Sequence, residues 1–203
     1  MAREKQKPQK KKPEEKLTWQ QSLMLYMHDL IWMLIAIMIL FLLVFRVIVV
    51  SGDSMYDTLK DGDYLLLLSN VFYQEPQPGD IIVASKDSYD DGAAIIKRVI
   101  ATEGQIVDID FENGIVYVDG LPLEEPYIHN LTTRAEGVLF PLIVEEGCIF
   151  VLGDNREVSK DSRHPEIGLI DTRQVLGKAI YLMVPGVDEW TKQRDFDRTG
   201  AIQ

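Results

Sequence analysis

A long apolar stretch lies near the start of the chain. Residues 30–45 contain no charged residue, and four more apolar residues follow Arg46, at 47–50. A helix needs about 20 residues to cross the ~30 Å hydrocarbon core of a bilayer. Residues 30–50 therefore predict one transmembrane helix, with the Arg46 side chain reaching the interface. The stretch has no polar face, which disfavours a buried core helix, and its length disfavours a cleaved signal peptide.

From residue 51 onward the chain shows short apolar runs separated by turn residues. Asn113-Gly114 divides two such runs and predicts a tight β-hairpin. Many short strands at close spacing are typical of a barrel or a sandwich. The predicted fold class is mainly β: a barrel-like β domain of short antiparallel strands after one N-terminal transmembrane helix. The predicted strands are 64–68, 81–84, 94–100, 106–109, 115–118, 149–152 and 179–184.

Charge is distributed unevenly along the chain. Residues 1–16 hold seven basic and three acidic residues, whereas the whole chain has a net charge of −11. A Lys-rich segment before a transmembrane helix predicts a cytoplasmic N-terminus. The predicted organisation is a basic cytoplasmic tail and interfacial lead-in at 1–29, an anchor at 30–50, an extracytoplasmic β domain at 51–185 and a polar C-terminal tail at 186–203.

The composition argues against some classes of partner. The acidic balance disfavours a nucleic-acid partner, because phosphate binding needs clustered Lys and Arg. Cys148 is the single cysteine, so neither a disulfide framework nor a cysteine-rich metal site can form within the chain. We expect no metal and no cofactor.

Three segments carry candidate chemistry, and the first follows the apolar stretch directly. Residues 51–59 read SGDSMYDTL, which puts a serine close to the predicted membrane surface. A serine in such a loop, taken alone, is more often a turn or helix-capping residue than a nucleophile.

The second segment surrounds Lys97, in the run AIIKRVI at 94–100. Alternation along a strand puts Ile95, Lys97 and Val99 on one face. Burial between two β-branched neighbours lowers the pKa of a lysine amine below its usual ~10.4. A neutral amine can accept a proton from a serine hydroxyl. The alternative is a strand-edge lysine whose amine reaches solvent.

The third segment, 153–163, reads GDNREVSKDSR and follows an apolar run. Only Gly153 and Val158 lack a polar side chain, so this segment is not ordinary core. A solvated loop is one interpretation. The other is a dense hydrogen-bonded network that supports a site.

These three segments, in this order after an apolar anchor, resemble the bacterial type I signal peptidases over residues 30–184. The resemblance implies a serine endopeptidase that works through a Ser–Lys dyad and an acyl-enzyme. Ser54 matches the family's nucleophile. Lys97 matches its general base, which later protonates the leaving amine.

The resemblance also implies supporting roles. Ser159 matches a serine that hydrogen-bonds and orients the lysine. Asp161 and Arg163 match an ion pair that shapes the site, with Asp154 and Arg98 as further scaffold positions. The candidates for a shallow apolar substrate pocket are Met55, Leu59 and Ile96.

The substrates implied are exported precursor proteins, cut after small residues in Ala-x-Ala-like ends. The implied location is a bacterial cell membrane, with a single pass and the catalytic domain outside. The expected partners are therefore signal-peptide-bearing precursors and the lipid bilayer, and no oligomeric state is predicted.

Three positions depart from the family's pattern. Asp57 stands where the family commonly has Pro, which affects the turn after Ser54. Gly52 stands where some members have a serine that adds an oxyanion donor. Residues 101–105 read ATEGQ, where the family often has Gly-x-Pro-Gly-Asp.

Other interpretations stay open at this point. A self-cleaving, repressor-like Ser–Lys protease acts in the cytosol and carries a DNA-binding domain, which fits poorly with the apolar stretch and the acidic balance. A non-catalytic, anchored β domain that binds a partner requires an exposed Lys97 and an unreactive Ser54. A Ser–His–Asp triad would use His129 or His164.

Overall fold

The computed structural model describes residues 18–86, 89, 92–188 and 191–202. The predicted basic tail at 1–16 lies outside the described residues. Within them the chain forms one α-helix, twelve β-strands and 3₁₀ turns at Thr172–Gln174 and Phe196–Arg198. The helix and strands are α1 (Trp19–Val44), β1 (Phe45–Val49), β2 (Tyr64–Ser69), β3 (Ile81–Ser85), β4 (Ala94–Thr102), β5 (Ile106–Asp110), β6 (Ile115–Val118), β7 (Leu121–Pro122), β8 (Leu142–Ile143), β9 (Cys148–Leu152), β10 (Ile170–Asp171), β11 (Val175–Val184) and β12 (Gly200–Ala201).

The helix α1 begins with a reciprocal cap. The Thr18 N–H donates to Gln21 Oε1 at 2.9 Å, and the Gln21 N–H donates to Thr18 Oγ1 at 3.4 Å. These two bonds satisfy donors that the first helical turn leaves without partners. None of the α1 residues is buried, and the helix is long and apolar enough to cross a membrane.

The apolar stretch is divided between a helix and a strand. Helix α1 ends at Val44, whereas the sequence predicted a span that ends at residue 50. From Phe45 the chain runs as β1 and pairs antiparallel with β2, with Arg46 opposite Leu67. The β-branched residues of 47–50 favour this extended conformation. Arg46 therefore belongs to the sheet, not to the helix.

The described strands form two antiparallel sheets. The larger sheet has the order β1-β2-β11-β3-β4-β9-β10, with β12 added to β11, and the smaller one has the order β7-β6-β5-β8. The prediction of a mainly β fold with antiparallel strands after one apolar helix is confirmed. The larger sheet is not closed into a barrel, since β1 and β10 remain its two edges.

The predicted hairpin is present between β5 and β6. Val107 pairs with Val118 and Asp110 with Ile115, and Gly114 has a φ of +72°. A Cβ at Gly114 would lie 2.6 Å from Leu131 Cβ. Both the positive φ and this close approach require glycine.

The polar C-terminal residues pack on the larger sheet. Arg198 forms an ion pair with the buried Asp63, with Nη2 and Oδ2 2.7 Å apart. Asp63 Oδ1 also accepts from the Gly186 N–H at 2.7 Å. The segment after residue 185 therefore helps to fix the chain that leads into β2.

Candidate active site

The loop that carries Ser54 is a short helical turn, and buried side chains anchor it to the core. The Leu59 N–H donates to Met55 O at 2.8 Å, and both side chains are buried in one cluster with Val50. The Gly52 N–H donates to Asp61 Oδ1 at 2.8 Å. Met55 thus anchors the turn by burial, which leaves the preceding residue, Ser54, at the surface of that cluster.

A second loop holds Ser54 from the side. The Asn155 N–H donates to Ser54 O at 3.1 Å, and Asn155 Nδ2 donates to Asp53 O at 3.2 Å. Gly153 permits this approach, because a Cβ there would lie 2.5 Å from Ser54 O and 2.1 Å from Ser159 Oγ. Asn155 lies in the polar motif at 153–163, but it was not among the predicted site residues.

Lys97 lies in the middle of β4 and reaches Ser54. Lys97 Nζ is 2.8 Å from Ser54 Oγ and donates to Ile96 O at 3.0 Å. Lys97 is only 4% exposed, whereas the non-catalytic interpretation requires an exposed lysine. Ile95 and Val99, its neighbours two residues away on β4, are buried as predicted.

Burial controls the charge of this amine. Desolvation, the largest effect, lowers the pKa of Lys97 from 10.5 to about 8, against the opposing effect of Asp161 and Asp154. A substantial fraction of Lys97 is therefore neutral near pH 8. A neutral amine 2.8 Å from a hydroxyl can accept its proton.

One buried ion pair links β4 to the loop after β9, and a hydrogen bond links the same pair to the loop that carries Ser54. Arg98 donates to Asp154 through Nε at 2.9 Å and Nη2 at 2.8 Å. Thr58 Oγ1, from the Ser54 turn, donates to Asp154 Oδ2 at 2.6 Å. The Arg98 guanidinium also lies over the Tyr127 ring, 3.9 Å from its centroid. Both predicted scaffold residues, Asp154 and Arg98, are thus brought to the site.

A second buried pair shapes the loop after β9. Arg163 donates to Asp161 through Nε and Nη2, both at 2.8 Å, and neither side chain has exposed surface. Asp161 Oδ2 also accepts from the Gly153 N–H at 3.0 Å. The predicted ion pair is therefore present, and it fixes the glycine that lies against Ser54.

Ser159 differs from its predicted role. Its hydroxyl is buried and makes no hydrogen bond within the described part of the chain. It packs against Gly153, so close that a Cβ there would lie 2.1 Å from Ser159 Oγ. The predicted hydrogen bond from Ser159 to Lys97 is not formed in this structure.

Sequence reasoning missed a third buried pair, between Arg156 and Glu125. Arg156 has no exposed side-chain surface, and it donates to Gly153 O at 2.9 Å and to both Glu125 carboxylate oxygens. The position of Arg156 in the Gly-Asp-Asn-Arg motif indicated that this arginine could belong to the site. Nothing in the sequence pairs it with Glu125, which lies far away along the chain.

An apolar cavity of about 380 Å³ opens beside Ser54. Met55 and Ile96, two of the predicted pocket residues, line it. Leu59 does not, since it is buried in the cluster beneath the turn. The other apolar lining residues are Ile48, Val49, Val50, Leu67, Val83, Ala94 and Leu176.

The side chains of His129 and His164 make their hydrogen bonds to groups other than Ser54. His129 Nδ1 is 3.0 Å from Asp57 Oδ2 at an exposed position, and His164 Nδ1 accepts from the Glu166 N–H at 3.2 Å. Neither makes a hydrogen bond to Ser54 in the described chain. The geometry favours lysine over histidine as the base.

The free energy of unfolding of the native protein should decrease as the pH is lowered, because Lys97 is buried. The Lys97→Met variant should lack this decrease. The pKa of Lys97 is about 8 in the folded protein and 10.5 ordinarily, so the unfolded chain binds more protons between these values. The free energy of unfolding therefore falls as the pH drops from about 10.5 to about 8, and this contribution is constant below. The fall is about 3 kcal/mol relative to the Lys97→Met variant.

Chemical denaturation of both proteins in detergent, from about pH 7 to about pH 10.5, measures this difference. The native protein should gain stability relative to Lys97→Met as the pH rises. Parallel stability curves for the two proteins would contradict the burial of a titrating amine.

Comparison with known proteins gives a consistent result. Residues 23–184 match the family described as "Signal peptidase, peptidase S26". The chain is 39% identical over 143 residues to the probable signal peptidase I-1 of Synechocystis sp., which covers 67% of this chain and 69% of that protein. It is 31% identical over 188 residues to signal peptidase I T of Bacillus subtilis, an alignment that covers 89% of this chain and 91% of that protein.

A solved structure of a signal peptidase I from Enterococcus faecalis is also similar, at 30% identity and a TM-score of 0.43, covering 51% of this chain and 96% of that one. The resemblance drawn from the three motifs is confirmed by the family match. That match extends from within α1 to the end of β11, and the relatives are aligned over more than two thirds of their own length. The chain therefore belongs to the signal peptidase family, peptidase S26.

Proposed function

We propose that this protein is a serine endopeptidase that removes signal peptides from exported precursor proteins, with Ser54 as nucleophile and Lys97 as general base. Family membership supports the activity. The single observation that supports the residue assignment is the 2.8 Å contact between Lys97 Nζ and Ser54 Oγ. That contact joins a buried amine, with a pKa of about 8, to a hydroxyl at the edge of an apolar cavity.

The reaction proceeds in two halves. Lys97 takes the Ser54 proton as Oγ bonds to the carbonyl carbon of the scissile peptide. When the C–N bond breaks, the Lys97 ammonium gives that proton to the leaving amine, and an ester to Ser54 remains. Lys97 then takes a proton from a water molecule that attacks the ester, and it returns the proton to Ser54 Oγ as the acid product leaves.

The developing oxyanion needs a donor. The Ser54 N–H donates to no group among the described residues, so it is available to a bound carbonyl. One such donor is commonly worth about 3 kcal/mol of transition-state stabilisation. Gly52 offers no side-chain hydroxyl, so the backbone of the turn supplies this interaction.

The cavity supports selection of small, apolar residues before the cut. Its lining is mostly apolar, and Met55 and Ile96 come closest to the dyad along the chain. A cationic side chain that enters it loses hydration and meets no acidic residue in the lining. This fits substrates with Ala-x-Ala-like ends.

The helix α1 and family membership indicate a membrane-anchored protein. We propose further that the N-terminus is cytoplasmic and that the catalytic domain lies outside a bacterial cell membrane, because residues 1–16 are rich in lysine. Enzyme and precursor are then held in the same bilayer. Their shared anchoring raises the effective concentration of the cleavage site.

A precursor with Ala just before the cut should be processed by the purified protein in detergent. The same precursor with Lys at that residue should be cleaved at least about 100-fold more slowly, because the apolar lining leaves the ammonium without a partner. A precursor with Ser there, small and uncharged, is the matched control. Equal rates for Ala and Lys would exclude this cavity as the substrate pocket.

A further inference from the structure

The segment 191–202 lies beyond the residues that match the family, and it packs against the anchor of the Ser54 turn. Its strand β12 pairs with β11 in the larger sheet. The Ile202 side chain contacts the buried cluster that contains Met55 and Leu59. Since these two residues fix the turn by burial, the segment touches the support of the nucleophile.

Arg198 is the polar link between this segment and the turn. Its Nη1 and Nη2 donate to the two carboxylate oxygens of Asp63 at 3.0 and 2.7 Å. Nη2 also donates to Thr58 O at 3.4 Å. The Asp63 side chain has no exposed surface, and its Oδ2 accepts from the Lys60 N–H at 2.8 Å. One guanidinium thus neutralises a buried carboxylate and reaches the end of the Ser54 turn.

The carbonyl that Arg198 holds belongs to the peptide group between Thr58 and Leu59. The N–H of that same peptide group donates to Met55 O at 2.8 Å and closes the helical turn. Hydrogen bonds in a chain polarise one another, so a donor on the carbonyl strengthens the bond that the N–H makes. Arg198 therefore acts on the bond that closes the turn beside Ser54.

Thr58 is fixed from two sides. Its hydroxyl donates to Asp154 Oδ2 at 2.6 Å, which links the turn to the loop after β9. Its carbonyl accepts from Arg198, which links the turn to the segment 191–202. Loss of the second contact leaves this end of the turn held from one side only.

We propose that Arg198 is a positioning residue, which holds the Ser54 turn so that Ser54 Oγ stays within reach of Lys97. The proposal rests on the function proposed above. Proton transfer uses the 2.8 Å contact between Ser54 Oγ and Lys97 Nζ. A displacement of about 1 Å between reacting groups can cost about 100-fold in rate. The segment 191–202 thus contributes to catalysis through the turn, without touching the substrate.

The test is precursor cleavage by the full-length Arg198→Lys variant in detergent. Lysine keeps a positive charge beside Asp63, but one ammonium does not reproduce the guanidinium fork that also reaches Thr58 O. The kcat should fall about tenfold, while KM stays within about twofold and the thermal unfolding midpoint stays near the native value. An unchanged kcat, or a rise in KM alone, would overturn the proposal.

Two further variants make the test specific. Arg194→Lys is the matched control, because Arg194 lies in the same segment and donates to Pro185 O instead of to the turn. It should keep the native kcat, and a loss equal to that of Arg198→Lys would overturn the proposal. Arg198→Met leaves the buried Asp63 carboxylate without its cation and should lower the unfolding midpoint, so Arg198→Lys is the variant that isolates positioning.

A readout without catalysis separates this inference from the proposed function. Amide hydrogen exchange of the Leu59 N–H reports opening of the turn directly. It should be about tenfold faster in Arg198→Lys than in the native protein, even in a preparation that cleaves no precursor. The Val99 N–H, which donates to Asp80 O at 2.8 Å, should exchange equally in both proteins. Equal exchange at Leu59, or an equal acceleration at Leu59 and Val99, would refute the role of Arg198, whatever the outcome for cleavage.

Discussion

Replacing Ser54 with Ala is expected to abolish precursor cleavage while leaving the fold intact. The Ser54 side chain makes one hydrogen bond in the described chain, to Lys97 Nζ. The bonds that hold the loop use the backbone oxygens of Ser54 and Asp53, and alanine keeps both. Loss of the attacking oxygen removes the acyl-enzyme path, so the rate should fall at least about a thousand-fold.

The measurement is the initial rate of precursor cleavage, together with the thermal unfolding midpoint of each protein. Ser85→Ala is a matched control, because Ser85 lies at the end of β3, donates to Gly92 O and is not one of the residues that line the cavity. It should cleave at a near-native rate. If Ser54→Ala kept activity within tenfold of the native enzyme, another residue would be the nucleophile.

Replacing Lys97 with Arg is expected to be about as damaging as the loss of Ser54. A guanidinium keeps the positive charge but remains protonated at every accessible pH, so it cannot accept the Ser54 proton. The loss should again reach about a thousand-fold. A lysine that served only as an electrostatic partner of Asp154 or Asp161 would tolerate this change.

Arginine is bulkier than lysine in a position that is 4% exposed, so a second variant is needed. Lys97→Met preserves most of the length without charge, and it should fold and be equally inactive. Cleavage assays and unfolding midpoints for both variants check this. A Lys97→Arg enzyme with near-native turnover would leave Lys97 as scaffold only.

Local sequence signals predicted much of the β domain. Asn113-Gly114 located the β5–β6 hairpin, although the loop between the paired Asp110 and Ile115 has four residues and not the two of the tightest turns. Strand β1 was not predictable in the same way. Phe45–Val49 continues the apolar stretch of α1, and periodicity does not separate the two. Pairing of Val47 with Leu66 determines the strand, and that contact depends on the folded chain.

The candidate site shows the same difference between local features, which the sequence indicates, and contacts between distant segments, which it does not. Ser54 and Lys97 were proposed from their motifs, and strand alternation around Lys97 left both a buried and a solvent-reaching amine open. Contacts between distant segments, such as Arg156 with Glu125, were not predicted, because alternation and turn chemistry carry no information about which loops meet.

Two roles carried over from the resemblance have a different local geometry. The Ser159 hydroxyl packs against Gly153 and has no hydrogen bond in the described chain. Leu59 is buried beneath the turn instead of lining the cavity. In both cases the residue type fits the motif, while packing between the two loops determines where the side chain points.

The most direct test of the Ser–Lys dyad is the initial rate of precursor cleavage by the native enzyme as a function of pH. Cleavage needs the free amine of Lys97, whose pKa is about 8. The rate should therefore rise about tenfold per pH unit at low pH and level off above the pKa. A rate that is independent of pH across this range, or that levels off well below it, would contradict Lys97 as the general base.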